Sequence, residues 1–247
     1  RNFGAQHSKG ELLAFTSDDI TVAPDWLTNA VRYFQHADIG GVEGKTVPVG
    51  EQTSPFVHKT YNLNGGQYLT CNIFYRRSVF EQVGGFDEQF RAYREDTDLA
   101  WRVMDAVAKI VFAPDVVVFH PIVPVHPLKA LKSFSVYQYD YLLRFKHPKR
   151  FQEAGWIVNL APHLRHCAAG ILFVVGCLFK QPIIALPAGL FLLLRTLKST
   201  KNALRGYSVT PRLLIWTFIY CLLVPFVNIG VRAVGYLRFL PERFKRT

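Results

Sequence analysis

The chain has 247 residues, 50% of them hydrophobic and 19% charged, with 29 Lys+Arg against 18 Asp+Glu. This balance excludes a disordered polypeptide and fits one large domain, or one domain with an appendage. Residues 1–150 hold 17 basic and 16 acidic side chains, so +10 of the net charge of +11 belongs to residues 151–247.

Arg1-Asn2-Phe3-Gly4 carries neither an initiator methionine nor a signal peptide, and the chain is expected to start partway through a domain. Glu11-Leu12-Leu13-Ala14-Phe15-Thr16 is an apolar run that stops at Ser17-Asp18-Asp19. It predicts a buried strand delivering carboxylates at its C-terminal end, where ligands of open α/β sheets gather. Asp25 stands in the capping position of a helix over residues 26–34. Residues 40–47 predict a short strand among glycines, and residues 50–68 a polar loop. Neither a GxGxxG nor a P-loop lysine motif occurs, so the glycines read as turns. Residues 72–77 lead into a short helix over residues 78–83, which Gly84-Gly85 stops. In Arg94-Glu95-Asp96-Thr97-Asp98-Leu99 three carboxylates crowd the start of an amphipathic helix, where the helix dipole favours negative charge. Residues 109–113 and 116–119 read as two short strands around Pro114-Asp115, with His120 directly after them.

The remaining chain is a different material. Between residues 167 and 194 only Lys180 is charged, and residues 213–231 carry no charge at all. Runs of about 18 or more apolar residues meet the requirement for a membrane span. The cations cluster at residues 144–150, 195–212 and 238–246, flanking the apolar runs as interface anchors do. A nucleic-acid face would interleave cations with aromatics on a polar surface, so membrane lipid is expected as a partner and nucleic acid is not. Residues 167–179 and 183–194 are each short of the ~20 residues that cross ~30 Å, and a hairpin at Lys180-Gln181-Pro182 is one solution. A third span over residues 213–231 would put the basic tail opposite the N-terminal domain, against the positive-inside rule, so topology stays open. Pro187 and Pro225 point to kinks or a re-entrant segment. The four cysteines have no CxxC spacing, which argues against zinc and against a disulfide framework.

Two acidic clusters, one at a strand end and one at a helix start, could meet in a single cleft. One would hold a divalent cation, and the other would act as a base. The same residues would serve equally well as a turn cap and as partners of a helix dipole. The ordered set Arg1-Asn2-x-Gly4, Lys9-Gly10-Glu11, Phe15-Thr16-Ser17-Asp18-Asp19, Pro24-Asp25-Trp26-Leu27, Asn72, Arg76-Arg77, Gly84-Gly85-Phe86-Asp87-Glu88, Glu95-Asp96-Thr97-Asp98-Leu99 and Arg102 resembles the family 2 glycosyltransferases. The resemblance covers about residues 1–150, and Tyr141-Leu142-Leu143-Arg144-Phe145-Lys146-His147-Pro148 is similar to the segment that closes many such domains before a membrane region.

The resemblance implies an α/β fold: a partial GT-A domain with a Rossmann-like mixed sheet over residues 1–150, followed by α-helical membrane-associated residues 151–247. It implies a nucleotide-diphosphate sugar donor, a divalent metal (Mg²⁺ or Mn²⁺), inversion at the anomeric carbon, and a glycan or lipid-linked acceptor. The catalytic domain would face the cytoplasm. Carried over residue by residue, Asp96 matches the catalytic base, with Glu95 and Asp98 shaping its field. Ser17, Asp18 and Asp19 match the donor-binding motif, with Asp19 and His120 toward the metal, and Asn72, Arg76, Arg77 and Gly85 toward the acceptor. Ser17 replaces the usual first aspartate. The Gln-x-x-Arg-Trp signature of processive synthases is absent, Gln138 and Arg144 being wrongly spaced, which favours single-sugar transfer. The family's opening nucleotide-binding half has no counterpart in this sequence. With Ser17, that leaves a non-catalytic membrane adaptor on a degenerate glycosyltransferase scaffold as the alternative.

Overall fold

The computed structural model describes residues 1–106, 109–156 and 159–245. Two units emerge, one formed by Arg1–Glu51 with His58–Val123 and the other by Gln52–Val57 with Pro124–Thr247. Residues 124–150 thus fall in the second unit.

In the first unit, α1 (Asn2–His7) precedes β1 (Leu12–Thr16), β2 (Thr21–Val22), α2 (Trp26–Tyr33) and the long β3 (Ile39–Val49). The chain re-enters this unit along β4 (Val57–His58), continues through β5 (Asn72–Arg76), α3 (Arg77–Gln82), α4 (Glu95–Asp105) and β6 (Lys109–Pro121), and leaves along β7 (Val123–Pro124). Five strands form one sheet in the order β1-β5-β3-β6-β2. The β3–β6 pair is parallel and the other pairs are antiparallel.

The period of two along a strand builds a core on each face of this sheet. Phe74 of β5 joins Trp26, Ala30 and Phe34 of the α2 side, while its neighbours Ile73 and Tyr75 join Leu99 and Val103 of α4 with Phe80 and Phe86. A strand buried on both faces reads as a continuous apolar run, which is what Ile73-Phe74-Tyr75 is.

The mixed sheet followed by a helical region meets the expected fold. Two local expectations differ. Residues 109–121 form one strand rather than two around a turn: the register jumps from Gly44↔Ala113 to Lys45↔Val117, so Pro114-Asp115-Val116 are absorbed as a bulge. Asp25 does occupy the N-cap of α2, but its side chain makes no capping hydrogen bond.

The second unit is helical: α5 (Pro127–Ser133), a 3₁₀ segment (Phe134–Gln138), α6 (Tyr139–Lys146), α7 (Pro148–Glu153), α8 (Ala161–Leu178), α9 (Pro182–Ala203) and α10 (Pro211–Phe244). The last three are long and apolar enough to cross a membrane. The α8 and α9 helices form the expected hairpin around Lys180, whose φ is +51°. Gly176 sits so close to α9 that a Cβ there would lie 2.7 Å from the Ala185 amide nitrogen.

Candidate active site

The apolar run of β1 ends beside the start of β5, because Thr16 pairs with Asn72. Just beyond that end Asp18 and Asp19 are exposed, with Ser17 partly covered. Near the end of β6, opposite Pro48 of β3, His120 is only 5% exposed, and its Nε2 lies 3.8 Å from Asp19 Oδ2. Its Nδ1 lies 3.1 Å from the Pro121 carbonyl oxygen. A carbonyl can only accept, so in the neutral ring Nδ1 carries the proton and Nε2 keeps its lone pair.

Two electron-pair donors thus face each other at Asp19 and His120. Among the described residues no group of three or more His, Cys, Asp or Glu could hold a metal ion. Asp19 is the kind of ligand by which Mg²⁺ or Mn²⁺ is held, one or two carboxylates with substrate phosphates and water completing the shell, while the imidazole of His120 is a nitrogen ligand better suited to softer divalent ions. The hydrogen bond at Nδ1 is the kind of outer contact that orients a ligating imidazole.

The second acidic cluster opens α4. Arg94 enters the helix at a φ of +71°, and the next four residues start the first turn. Asp96 Oδ1 accepts from the Thr97 amide at 2.7 Å. The Asp96 carboxyl is pushed up to about 7, first by burial and then by the charge of neighbouring Glu95, against weaker opposition from the Thr97 amide and Arg94. Glu95 is 8% exposed. Its Oε1 accepts from Arg1 at 2.5 Å, and its buried Oε2 has no hydrogen-bond partner among the described residues. Asp98 is fully buried and grips Arg102 through Nε at 2.8 Å and Nη2 at 2.7 Å. Arg102 in turn donates to the carbonyls of Val83 and Gly85, tying the turn after α3 to α4.

Both clusters act on one buried group. Burial pushes the Cys71 thiol up, and the charges of Asp96 and Asp19 push it in the same direction, against a hydrogen bond with Thr46. Asp96 and Asp19 therefore both lie within electrostatic reach of Cys71.

The residues expected at the acceptor are engaged within the fold. Asn72 is fully buried: its Oδ1 accepts from Trp26 Nε1 at 2.8 Å, and its Nδ2 donates to the carbonyls of Lys45 and Val116 at 3.0 Å. Arg76 donates to the carbonyls of Phe34, His36 and Ile39, closing the C-terminal end of α2. Arg77 donates to the carbonyls of Ala5 and Gly10 and to Ser8 Oγ, fixing the segment after α1. Gly85 has a φ of +68°, and a Cβ there would meet Asn2 Oδ1 at 2.8 Å. Asn2 needs that space because its amide exchanges two hydrogen bonds with the Phe86 backbone.

One residue escaped sequence reasoning. Glu43, 2% exposed in β3, accepts from Asn62 Nδ2 at 2.8 Å and from the amides of Gly66, Gln67 and Tyr68. A carboxylate among the glycines of residues 40–47 was its only signal, and its partners lie 19 to 25 residues away.

Residues 1–99 match the model of Glycosyl transferase family 2. The chain is 25% identical over 171 residues to O-antigen biosynthesis protein RfbC of Myxococcus xanthus, covering 58% of this chain and 13% of that protein. It is 29% identical over 194 residues to glycosyltransferase AglE of Haloferax volcanii, covering 74% of this chain and 59% of that protein. The chain therefore spans less than two thirds of either relative. A solved structure, mannosyltransferase PcManGT from Pyrobaculum calidifontis in complex with GDP-Man and Mn²⁺, is 15% identical, with a TM-score of 0.49 over 96% of this chain and 65% of that one.

Proposed function

We propose that this chain carries out metal-dependent, inverting transfer of a single sugar from a nucleotide-diphosphate sugar to a hydroxyl of a glycan or lipid-linked acceptor. Its second unit attaches it to a membrane, with the first unit on the cytoplasmic face, where nucleotide sugars are available. The observation that carries this reading is Asp96, a carboxyl in the first turn of α4 pushed up to about 7.

A base works best when its pKa lies near the operating pH. Ionised Asp96 takes the proton of the acceptor hydroxyl as that oxygen attacks the anomeric carbon from the face opposite the leaving group. The bond to the diphosphate breaks with its electron pair, so the configuration inverts. A divalent cation at Asp19 and His120 would neutralise charge on the departing diphosphate. Ser17 offers a hydroxyl where the family pattern has a carboxylate, so Asp19 carries the acidic role of that turn. The name of the Myxococcus relative, an O-antigen biosynthesis protein, supports a place in surface-glycan synthesis.

The test is nucleoside-diphosphate release by the native membrane-bound protein from a panel of nucleotide-diphosphate sugars, with NMR assignment of the anomer formed. Release with inversion supports the reading. Retention overturns the mechanism, and no release from any donor favours the adaptor. Manganese titration is expected to move with the proposed ligands: Asp19→Asn and His120→Gln should each raise the Mn²⁺ concentration for half-maximal binding, read by EPR of free Mn²⁺, by at least about tenfold. Unchanged titrations would remove the pair from metal binding.

A further inference from the structure

We propose that α10, although apolar enough to cross a bilayer, lies in the plane of the membrane surface, leaving the α8–α9 hairpin as the part that inserts. The inference rests on the membrane attachment proposed above, and it gives α10 a defined partner: the boundary between lipid headgroups and hydrocarbon.

The first argument is what accompanies α10 along its length. Toward its start, the Trp216 ring lies 5.1 Å from His126, and Tyr220 lies 6.5 Å from Phe134. Toward its end, Arg232 covers the Tyr137 ring at 5.4 Å, Arg238 donates to Gln138 Oε1 at 2.9 Å, and Phe239 lies 5.7 Å from Tyr139. Gly235 lets the backbones close up, since a Cβ there would lie 2.7 Å from the Gln138 backbone. From Trp216 to Phe239 the helix rises about 35 Å, more than the ~30 Å of a hydrocarbon core. A spanning α10 would therefore carry the α5–α6 segment into the core with it. That segment presents Lys129, Lys132 and Arg144 to solvent, and charges of this kind are excluded from hydrocarbon unless paired or snorkelling. The charged companion segment belongs at the boundary, where its cations reach headgroups and water, and its contacts hold α10 there with it.

The second argument is where α10 meets the hairpin. Its contact with α8 lies near the start of α8: His166 Nε2 sits 3.2 Å from the Leu222 carbonyl oxygen, and Gly170 makes room for the Phe226 ring. The far end of the hairpin stands bare, with Leu178, Phe179, Ile183 and Leu186 between 70% and 81% exposed. The contacts of α10 with α8 thus lie toward the base of the hairpin, and its tip stays exposed.

The third is charge. Arg232, the first charged residue after the apolar run, is buried against Asp140 of α6 at 3.4 Å and bonded to Asn228 at 2.9 Å, which fixes the end of that run to the segment preceding α8. With α10 in plane, the four cations of residues 144–150, the five of residues 195–212 and the three of residues 238–245 share one face, as the positive-inside rule requires. A third crossing would strand the last group.

The experiment uses the full chain with Cys167→Ser, Cys177→Ser and Cys221→Ser, carrying Lys9→Cys or Lys245→Cys, in sealed vesicles of known orientation with a membrane-impermeant maleimide. Labelling of both positions from the same side is expected, and labelling from opposite sides overturns the inference. Nitroxides at Ile215→Cys, Leu223→Cys and Leu237→Cys should report one common shallow depth by EPR. A mid-bilayer depth at position 223 between two shallow ones overturns it equally. If alkaline carbonate strips the protein from membranes, membrane attachment fails, and this inference with it. The labelling and depth outcomes test orientation alone.

Discussion

Asp96→Asn is expected to cut sugar transfer by roughly 10²–10⁴-fold and, at the same time, to make the folded chain more resistant to heat above pH 7. The two effects share one cause. Asp96 has its carboxyl pushed from 3.8 up to about 7 in the folded state, so the fold holds the protonated form and works against the ionised one. The stabilisation from this group is complete below the unfolded value near 3.8 and is lost as pH rises through 7. At pH 8 the ionised side chain costs the fold up to about 4 kcal/mol relative to a neutral one. Asparagine removes that cost and keeps an oxygen for the Thr97 amide now bonded at 2.7 Å.

The melting-temperature difference between variant and wild type should therefore grow between pH 4 and pH 7 and level off above, at about 10 °C. Wild-type turnover should rise across about one pH unit on either side of a half-height near pH 7. Titrating groups that do not interact with Asp96 cancel in the stability difference, and Glu95 is the neighbour that does interact. A variant that loses activity with no pH-dependent gain in stability would mean that Asp96 titrates normally. One that retains turnover would remove it as the base.

What the sequence disclosed follows from how local each feature is. The placement of Asp19 after a strand and of Asp96 at a helix start was legible because an apolar run that ends in carboxylates, and carboxylates that open an amphipathic helix, are patterns written within a few residues. The burial that raises Asp96 was not legible, since it comes from tertiary packing. Arg76 and Arg77 looked available to a ligand because the carbonyls they bond are remote in sequence: Phe34 and Ala5 lie 42 and 72 residues away. Asn72 was likewise read toward the acceptor, whereas its amide joins Trp26, Lys45 and Val116 in the core. Pro114 suggested a turn because proline removes a donor; the long β6 instead takes it into a bulge, where no ladder bond is needed.

Glu43→Gln should be the most destabilising conservative change in the first unit. The carboxylate offers two oxygens to four donors: Asn62 Nδ2, Gln67 N and Tyr68 N on Oε1, and Gly66 N on Oε2 at 2.7 Å. A glutamine keeps one oxygen, and its amide nitrogen must then point at an N–H. Either the Gly66 donor or the three on the other oxygen lose their acceptor, and the surviving bonds lose the strength that charge confers. A buried donor left without a partner costs about 1–3 kcal/mol, and the weakened bonds add to this, so about 3 kcal/mol is expected, or a fall of roughly 6–12 °C in melting temperature.

The damage should be local before it is global. Asn62 also exchanges two backbone hydrogen bonds with Thr46 at 2.9 Å, and Thr46 touches Cys71, so the loop that Glu43 organises is continuous with the floor of the acidic site. Limited proteolysis should find the first new cut near Gly65-Gly66, where both residues hold a φ of +84° that the carboxylate stabilises. A variant with wild-type melting and an uncut loop would show that the loop is held by the Asn62–Thr46 pairing alone, and that the buried charge of Glu43 has another role.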